Sequence, residues 1–248
     1  MRKIVKNVLI ASTALSLSAC ESIQDAASGV NMPGTTTTKP ALTNSDVISG
    51  LKEALTVGIQ NSVNLSSVTD GFWKNDLIRI PFPEDALKVK QKAIDWGLGA
   101  KVEQFETTLN RAAEDATKEA LPIFKNAIMN MSISDGFSIL NGGDGAATRF
   151  LKTQTTEQLV AAFSPKVSAS ISKVKLTEYW NPIITKYNSA MSLTGGQKLN
   201  PDLNQYVTER AISGLFLLVE QEENKIRKDP AARVNAILQK VFGSIGAK

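Results

Sequence analysis

The chain has 248 residues, with 28 Lys+Arg against 24 Asp+Glu, a formal charge of +4, one cysteine and no histidine. The absent histidine excludes Ser-His-Asp and Cys-His nucleophilic catalysis, zinc sites built from His and Cys, and His-based metalloprotease motifs. Carboxylates, lysines, tyrosines and serines are the reactive groups that remain.

The first residues form three zones. Arg2, Lys3 and Lys6 make a positive start, Val8 to Leu17 a short apolar core, and Ser18 and Ala19 a small-residue end. This is the layout of a secretory signal peptide over residues 1–19. As a helix the apolar core would span about 15 Å, half of a hydrocarbon layer of roughly 30 Å, too short for a lasting span. The sequence "LSAC" (Leu17–Cys20) resembles the lipobox of bacterial lipoproteins, in which the cysteine becomes the acylated first residue after cleavage. Cys20 is therefore expected to be lipidated, with two or three acyl chains giving stable anchoring. Residue 21 is Glu rather than Asp; by resemblance to the enterobacterial lipoprotein sorting rule, this implies the periplasmic side of the outer membrane rather than the inner one. Cleavage would remove three bases and no acid, leaving 25 bases against 24 acids. The basic balance then largely disappears, and with it the case for a nucleic-acid partner.

Residues 20–43 are rich in Ser, Thr, Gly and Pro and read as a disordered tether. Fully extended it would reach roughly 75 Å. Residues 44–248 suffice for one well-cored domain. Their apolar spacing is mostly helical. Val47, Leu51, Leu55, Ile59 and Val63 share a face behind a cap at Asn44 or Ser45. The connection Asn64–Pro83 is long and carries Phe72, Trp73 and Phe82. Within it Leu77–Pro83 reads as an extended strap, whose two prolines exclude a central strand. Long connections are often functional; the aromatics either pin the loop over the core or, if exposed, offer a partner or lipid contact. "KVKQKAIDW" has three lysines in five residues and reads as a solvated helix face.

Val102, Phe105, Leu109, Ala112 and Ala116 mark the next helix, and Pro122 suits the first turn of another. "SISDGFSIL" opens with Ser132 or Ser134 as cap and is closed by "NGG". Asp144 is a cap candidate for a helix "DGAATRFLK". Two further helices contain Pro165 and Pro182, where kinks or breaks are expected. "PDLNQYVTERAISGLFLLVEQEENKIRK" is expected to be the longest helix and "PAARVNAILQKVF" the last. The fold class is all-α, a compact array of roughly eight to ten helices.

Three blocks, "IRIPFP", Leu109–Leu151 and Tyr206–Val234, together resemble a family of exported bacterial proteins catalogued as domain of unknown function 4197. The resemblance runs from about Asp46 to Gly243. It implies a helical periplasmic domain behind a signal or lipoprotein sequence, and carries over no activity, cofactor or site residue.

Few residues point to chemistry. "NGGDGAATRF" (Asn141–Phe150) lacks the Lys and hydroxyl of a phosphate loop and the alternating oxygen ligands of a calcium loop. It reads as a glycine helix end followed by a cap. Lysozyme-like hydrolases commonly place Ser after the catalytic Glu; here the one Glu-Ser pair is Glu21-Ser22, in the tether. Glu222 falls inside the apolar stripe Leu203, Val207, Ala211, Leu215, Leu218, Val219 and Ile226. Burying an unpaired carboxylate is costly, so Glu222 implies a partner base, an opening to solvent, or a ligand-facing acid. Glu223 and Arg227 read as a surface i,i+4 pair. No catalytic residue, metal site or cofactor is assigned. The first reading is a non-enzymatic binding or scaffolding module facing the periplasm, anchored to the membrane through Cys20, with Phe72, Trp73, Phe82 and Glu222 as contact candidates toward an envelope protein or an apolar ligand. The alternative is a carrier of an apolar small molecule or lipid. A third reading is a carboxylate-dependent hydrolase of the envelope.

Overall fold

A computed structural model describes residues 43–173, 176–196, 198–200, 202–233 and 239. The expectations for the signal segment, for Cys20, for most of the tether and for the final helix beyond Arg233 lie outside these residues. The chain divides into units at residues 1–40 and 41–248, and the fold is that of the second. The α-helices are α1 (Asn44–Ser66), α2 (Leu87–Asp95), α3 (Gly99–Thr117), α4 (Ala120–Met129), α5 (Ile133–Asn141), α6 (Ala146–Lys173), α7 (Leu176–Thr194) and α8 (Leu203–Lys228), with 3-10 turns at Glu84–Ala86 and Pro230–Ala232. No strand occurs among the described residues, and the all-α class holds.

Helix α8 packs against α1, α3 and α6, while α6 also touches α3, α4 and α5. The α8 stripe read from the sequence is buried throughout, from Leu203 to Ile226. Phe72, Phe124, Phe163 and Phe216 fill the interior with Leu51, Ile59, Leu109 and Leu159. The described core runs from Ile48 to Ile226, so the domain carries its own core, which independent folding requires.

The caps explain where helices start. Helix α1 begins behind Thr43, not Asn44 or Ser45, because Thr43 and Asp46 form a reciprocal capping box. Ser132 and Asp135 form another at α5. Asp202 caps α8 by accepting from the Gln205 amide at 3.0 Å.

Two expectations are corrected by α6. It is the longest helix, at 28 residues against 26 for α8, because "DGAATRFLK" and the following segment form one helix that continues through Pro165. Leu151, Thr155, Leu159, Phe163, Val167 and Ile171 recur every four residues and are all buried. At about 1.5–3 kcal/mol per large apolar side chain buried, the stripe outweighs a proline cost of about 3 kcal/mol. Helix α7 likewise continues through Pro182, with Trp180 and Ile184 buried on either side.

The expected Asp144 cap is also replaced. Gly143 and Gly145 adopt left-handed φ values of 71° and 70°, and the first amides of α6 are met from α8 instead. Glu223 accepts from Ala147 N (3.0 Å), Thr148 N (2.9 Å) and Thr148 Oγ1 (2.8 Å). Arg227 pairs with Glu223 at 2.9 Å and donates to the Ile139 carbonyl at the end of α5 at 2.8 Å. The Glu223–Arg227 pair is thus an interior clasp joining three helices, not a surface pair, because α5 and α6 both end against it.

Candidate functional site

The long connection after α1 crosses the domain as a strap whose backbone is met by one face of α3. Glu106, Asn110 and Glu114 are spaced by four residues and buried. Glu114 Oε1 accepts from Phe72 N (3.1 Å) and Trp73 N (3.2 Å). Asn110 accepts from Ile80 N and donates to Ile80 O, both at 2.8 Å. Glu106 Oε1 accepts from Phe82 N at 3.1 Å, and the Tyr206 hydroxyl donates to Pro81 O at 3.1 Å. Glu114 thus holds the amides of a turn at Phe72 and Trp73, while Asn110 and Glu106 take the place of a neighbouring strand for the segment after Ile78. The extended strap expected over Leu77–Pro83 begins later, because Leu77 and Ile78 lie in a turn closed by bonds from Ile78 N and Arg79 N to Asn75 O. Gly214 on α8 makes room, since a Cβ there would lie 3.1 Å from both Phe72 and Ile78.

Phe82, at the end of the strap, enters an aromatic trio. Its ring centroid lies 4.7 Å from Phe105 of α3 and 5.7 Å from Trp180 of α7, and those two lie 5.2 Å apart. The trio forms one wall of a cleft of about 460 Å³. Val89 and Ala93 of α2, Leu98, Val102 and Ile183 complete the apolar lining, and Lys101, Gln104 and Thr108 supply polar groups. Helix α2 forms the outer wall, and none of its residues is buried. One contact that holds it is Lys90, whose Nζ meets Glu106 Oε1 at 2.6 Å and lies 5.9 Å from the centre of the Phe82 ring. Gly97, at φ 78°, turns the chain from α2 into α3.

The four contact candidates are dispersed. Phe72 is fully buried and Phe82 nearly so, which supports the pinning role for both, and Phe82 also lines the cleft. Trp73 is half-buried, with the Arg79 guanidinium 4.0 Å from its ring centre. Glu222 is half-buried on α8, accepts from Asn61 Nδ2 at 2.8 Å and lies 3.6 Å from Lys225. It is absent from the cleft lining. The carboxylate that occupies the buried stripe of α8 is its neighbour Glu223. Sequence reading placed Phe105 on the inward face of its helix without linking it to a site, and missed Trp180 and the α3 ladder; the available signal was Glu106, Asn110 and Glu114 recurring beside Phe105, Leu109 and Ala113.

The electrostatics are those of a braced scaffold. Hydrogen bonds from Lys74 and Arg111 hold the Asp70 carboxyl below its usual range. Arg111 is raised chiefly by its bond to Glu114, and burial raises the Tyr206 phenol. Ser170 and Lys173 show the spacing of a serine–lysine dyad in the last turns of α6, but Lys173 is exposed, whereas a lysine base needs desolvation. Among the described residues no group of three or more His, Cys, Asp or Glu is placed to hold a metal ion. No described helix is long and apolar enough to cross a membrane.

Comparison with curated proteins and with solved structures finds no match. A family model described as "Protein of unknown function (DUF4197)" matches residues 41–243. That span contains the strap, the α3 ladder, the cleft and the Glu223 clasp together, and the chain belongs to this DUF4197 family.

Proposed function

We propose that this domain is a non-catalytic binding module of the bacterial envelope, tethered through an acylated Cys20 on the periplasmic side of the outer membrane, and that its ligand is an apolar small molecule or acyl chain held in the α2–α3 cleft. The observation that carries the reading is the cleft itself. Its volume of about 460 Å³ falls within the roughly 300–1,000 Å³ of ligand pockets. Three aromatic rings line it, with Lys101, Gln104 and Thr108 as its few polar groups. Its outer wall is the α-helix least committed to the core, so entry of a ligand need not disrupt the packing of α3, α6 and α8. A hydrolase reading draws no support from the buried acids. Glu106, Glu114 and Glu223 each accept backbone amides and face a base, which suits them to bracing.

The test is native mass spectrometry of the domain purified gently from the periplasm, followed by titration with the fluorescent fatty acid cis-parinaric acid. A discrete added mass lost on denaturation, and saturable fluorescence displaced by palmitate, are expected. Ala93→Phe fills the cleft from α2 without cutting into the core and abolishes both signals. A bare mass with no probe binding refutes the ligand reading and transfers support to scaffolding of an envelope protein.

A further inference from the structure

Trp96 is 75% exposed, more than any other aromatic side chain whose burial the structure describes. A floppy loop does not account for it. Gly97 N donates to Ile94 O and Leu98 N to Ala93 O, both at 2.9 Å, with Gly97 in the left-handed region. This is the double-bonded helix end that fixes a turn, and it presents Trp96 outward. Ile94 and Leu98 beside it are 41% and 46% exposed. The tip is thus a built apolar projection.

Its charges are arranged to match. Lys88 and Lys92 stand one turn apart on α2, with Lys92 one turn before Trp96, and Lys101 lies in the first turn of α3. None of these three is in an ion pair among the described residues; Lys101 reaches only Gln104, at 3.4 Å. The remaining lysine, Lys90, is held by Glu106. The nearby acids are Asp95, which accepts from Gln91 at 2.9 Å, Glu103 one turn into α3, and Glu84 and Asp85 before α2.

We infer that the α2–α3 turn is a membrane-contact element, in which Trp96, Leu98 and Ile94 enter the interfacial layer of a bilayer whose anionic headgroups face Lys88, Lys92 and Lys101. Tryptophan suits that layer because its ring is apolar and its N–H polar, and flanking lysines add attraction to anionic lipid. A five-residue turn exposes far less than the roughly 800 Å² per partner of a stable protein interface, which favours lipid over protein. The turn adjoins the cleft, whose lining includes Leu98 and Lys101, so contact would bring the cleft mouth to the source of acyl chains. The inference does not depend on ligand occupancy of the cleft.

The experiment uses the chain from residue 20 with Cys20→Ser, so that no acyl anchor contributes. It is sedimented with phosphatidylglycerol–phosphatidylcholine vesicles and with phosphatidylcholine vesicles alone. Expected are binding to the anionic vesicles, loss of binding at high salt, and a blue shift of tryptophan emission that Trp96→Phe removes. Trp96→Ala should weaken binding about tenfold and Lys92→Ala about fivefold, with unchanged thermal unfolding because both positions are exposed. Ala93→Phe should block the cleft probe yet leave vesicle binding intact, which separates this inference from the ligand reading. Absence of vesicle binding, binding indifferent to Trp96, or self-association through Trp96 seen by light scattering would each overturn it.

Discussion

Replacing Asn110 by Ala tests whether the polar face of α3 holds the strap. Asn110 is fully buried, and it meets both the amide and the carbonyl of Ile80, which is 1% exposed. Truncation leaves both backbone groups without a partner and with almost no access to water. Each such orphan costs about 1–3 kcal/mol, so the pair implies about 2–6 kcal/mol. Its third bond, to the Glu106 carbonyl, adds little, because that carbonyl already lies within helical bonding range. A domain stability of about 5–15 kcal/mol would therefore fall by a large fraction. Burial of Ile78, Ile80 and Phe82, at about 1.5–3 kcal/mol each, would keep the strap docked but loosened.

The assay is urea unfolding followed by far-ultraviolet circular dichroism, with amide exchange measured over residues 77–83. Exchange at Ile80 should move from the slow, globally unfolding class to a faster local one. Asn110→Asp gives a sharper check, because it keeps the size but turns an oxygen toward the Ile80 and Glu106 carbonyls. It should destabilise at least as much as Ala. A loss below about 1 kcal/mol with unchanged exchange would show that the strap is held by apolar contact alone.

Glu223→Ala should cost about 3–5 kcal/mol, the range for breaking a buried pair, since it orphans two amides of α6 and leaves Arg227 without its carboxylate. Glu223→Gln retains an acceptor and should cost clearly less; equal losses in thermal unfolding would refute the capping role. The Ser132 hydroxyl and amide hold the Asp135 carboxyl below the usual carboxylate range, so its stabilising contribution is complete above that range and is lost as pH falls through the lower folded value. The stability gap between the parent and Asp135→Asn should stay constant from neutrality to about pH 4 and shrink as pH falls further. A gap that persists unchanged at the acid end would contradict that linkage.

Much of the fold was readable because helical burial is periodic. Leu51, Leu55, Ile59 and Val63 announced the buried face of α1, and Leu203 to Ile226 that of α8. The Ser132-x-x-Asp135 spacing carried its own capping signal, since both partners lie within one turn. Of the kinks or breaks expected at Pro165 and Pro182, the breaks do not occur, for one reason: local propensity counts the lost hydrogen bond but not the apolar side chains packed on both sides of it.

The candidate site was less legible. Phe82 stood out as an aromatic in a long connection, but its neighbours Phe105 and Trp180 come from distant parts of the chain. Glu222 attracted attention through its place in an apolar stripe, yet the buried acid is Glu223, one residue on. Periodicity places a side chain on a helix face to within a wide arc; it does not say which helix lies opposite.

By itself, then, the sequence determined the helical class, the faces turned inward and the exclusion of histidine chemistry, because each depends on residue type or on spacing within a few turns. Only the tertiary structure decided that Glu106, Asn110 and Glu114 serve the strap, that Glu223 caps α6 from α8, and that three aromatics from separate elements line one cleft. Those partnerships depend on which surfaces meet once the helices pack, and the distances that define them exist in the folded chain alone.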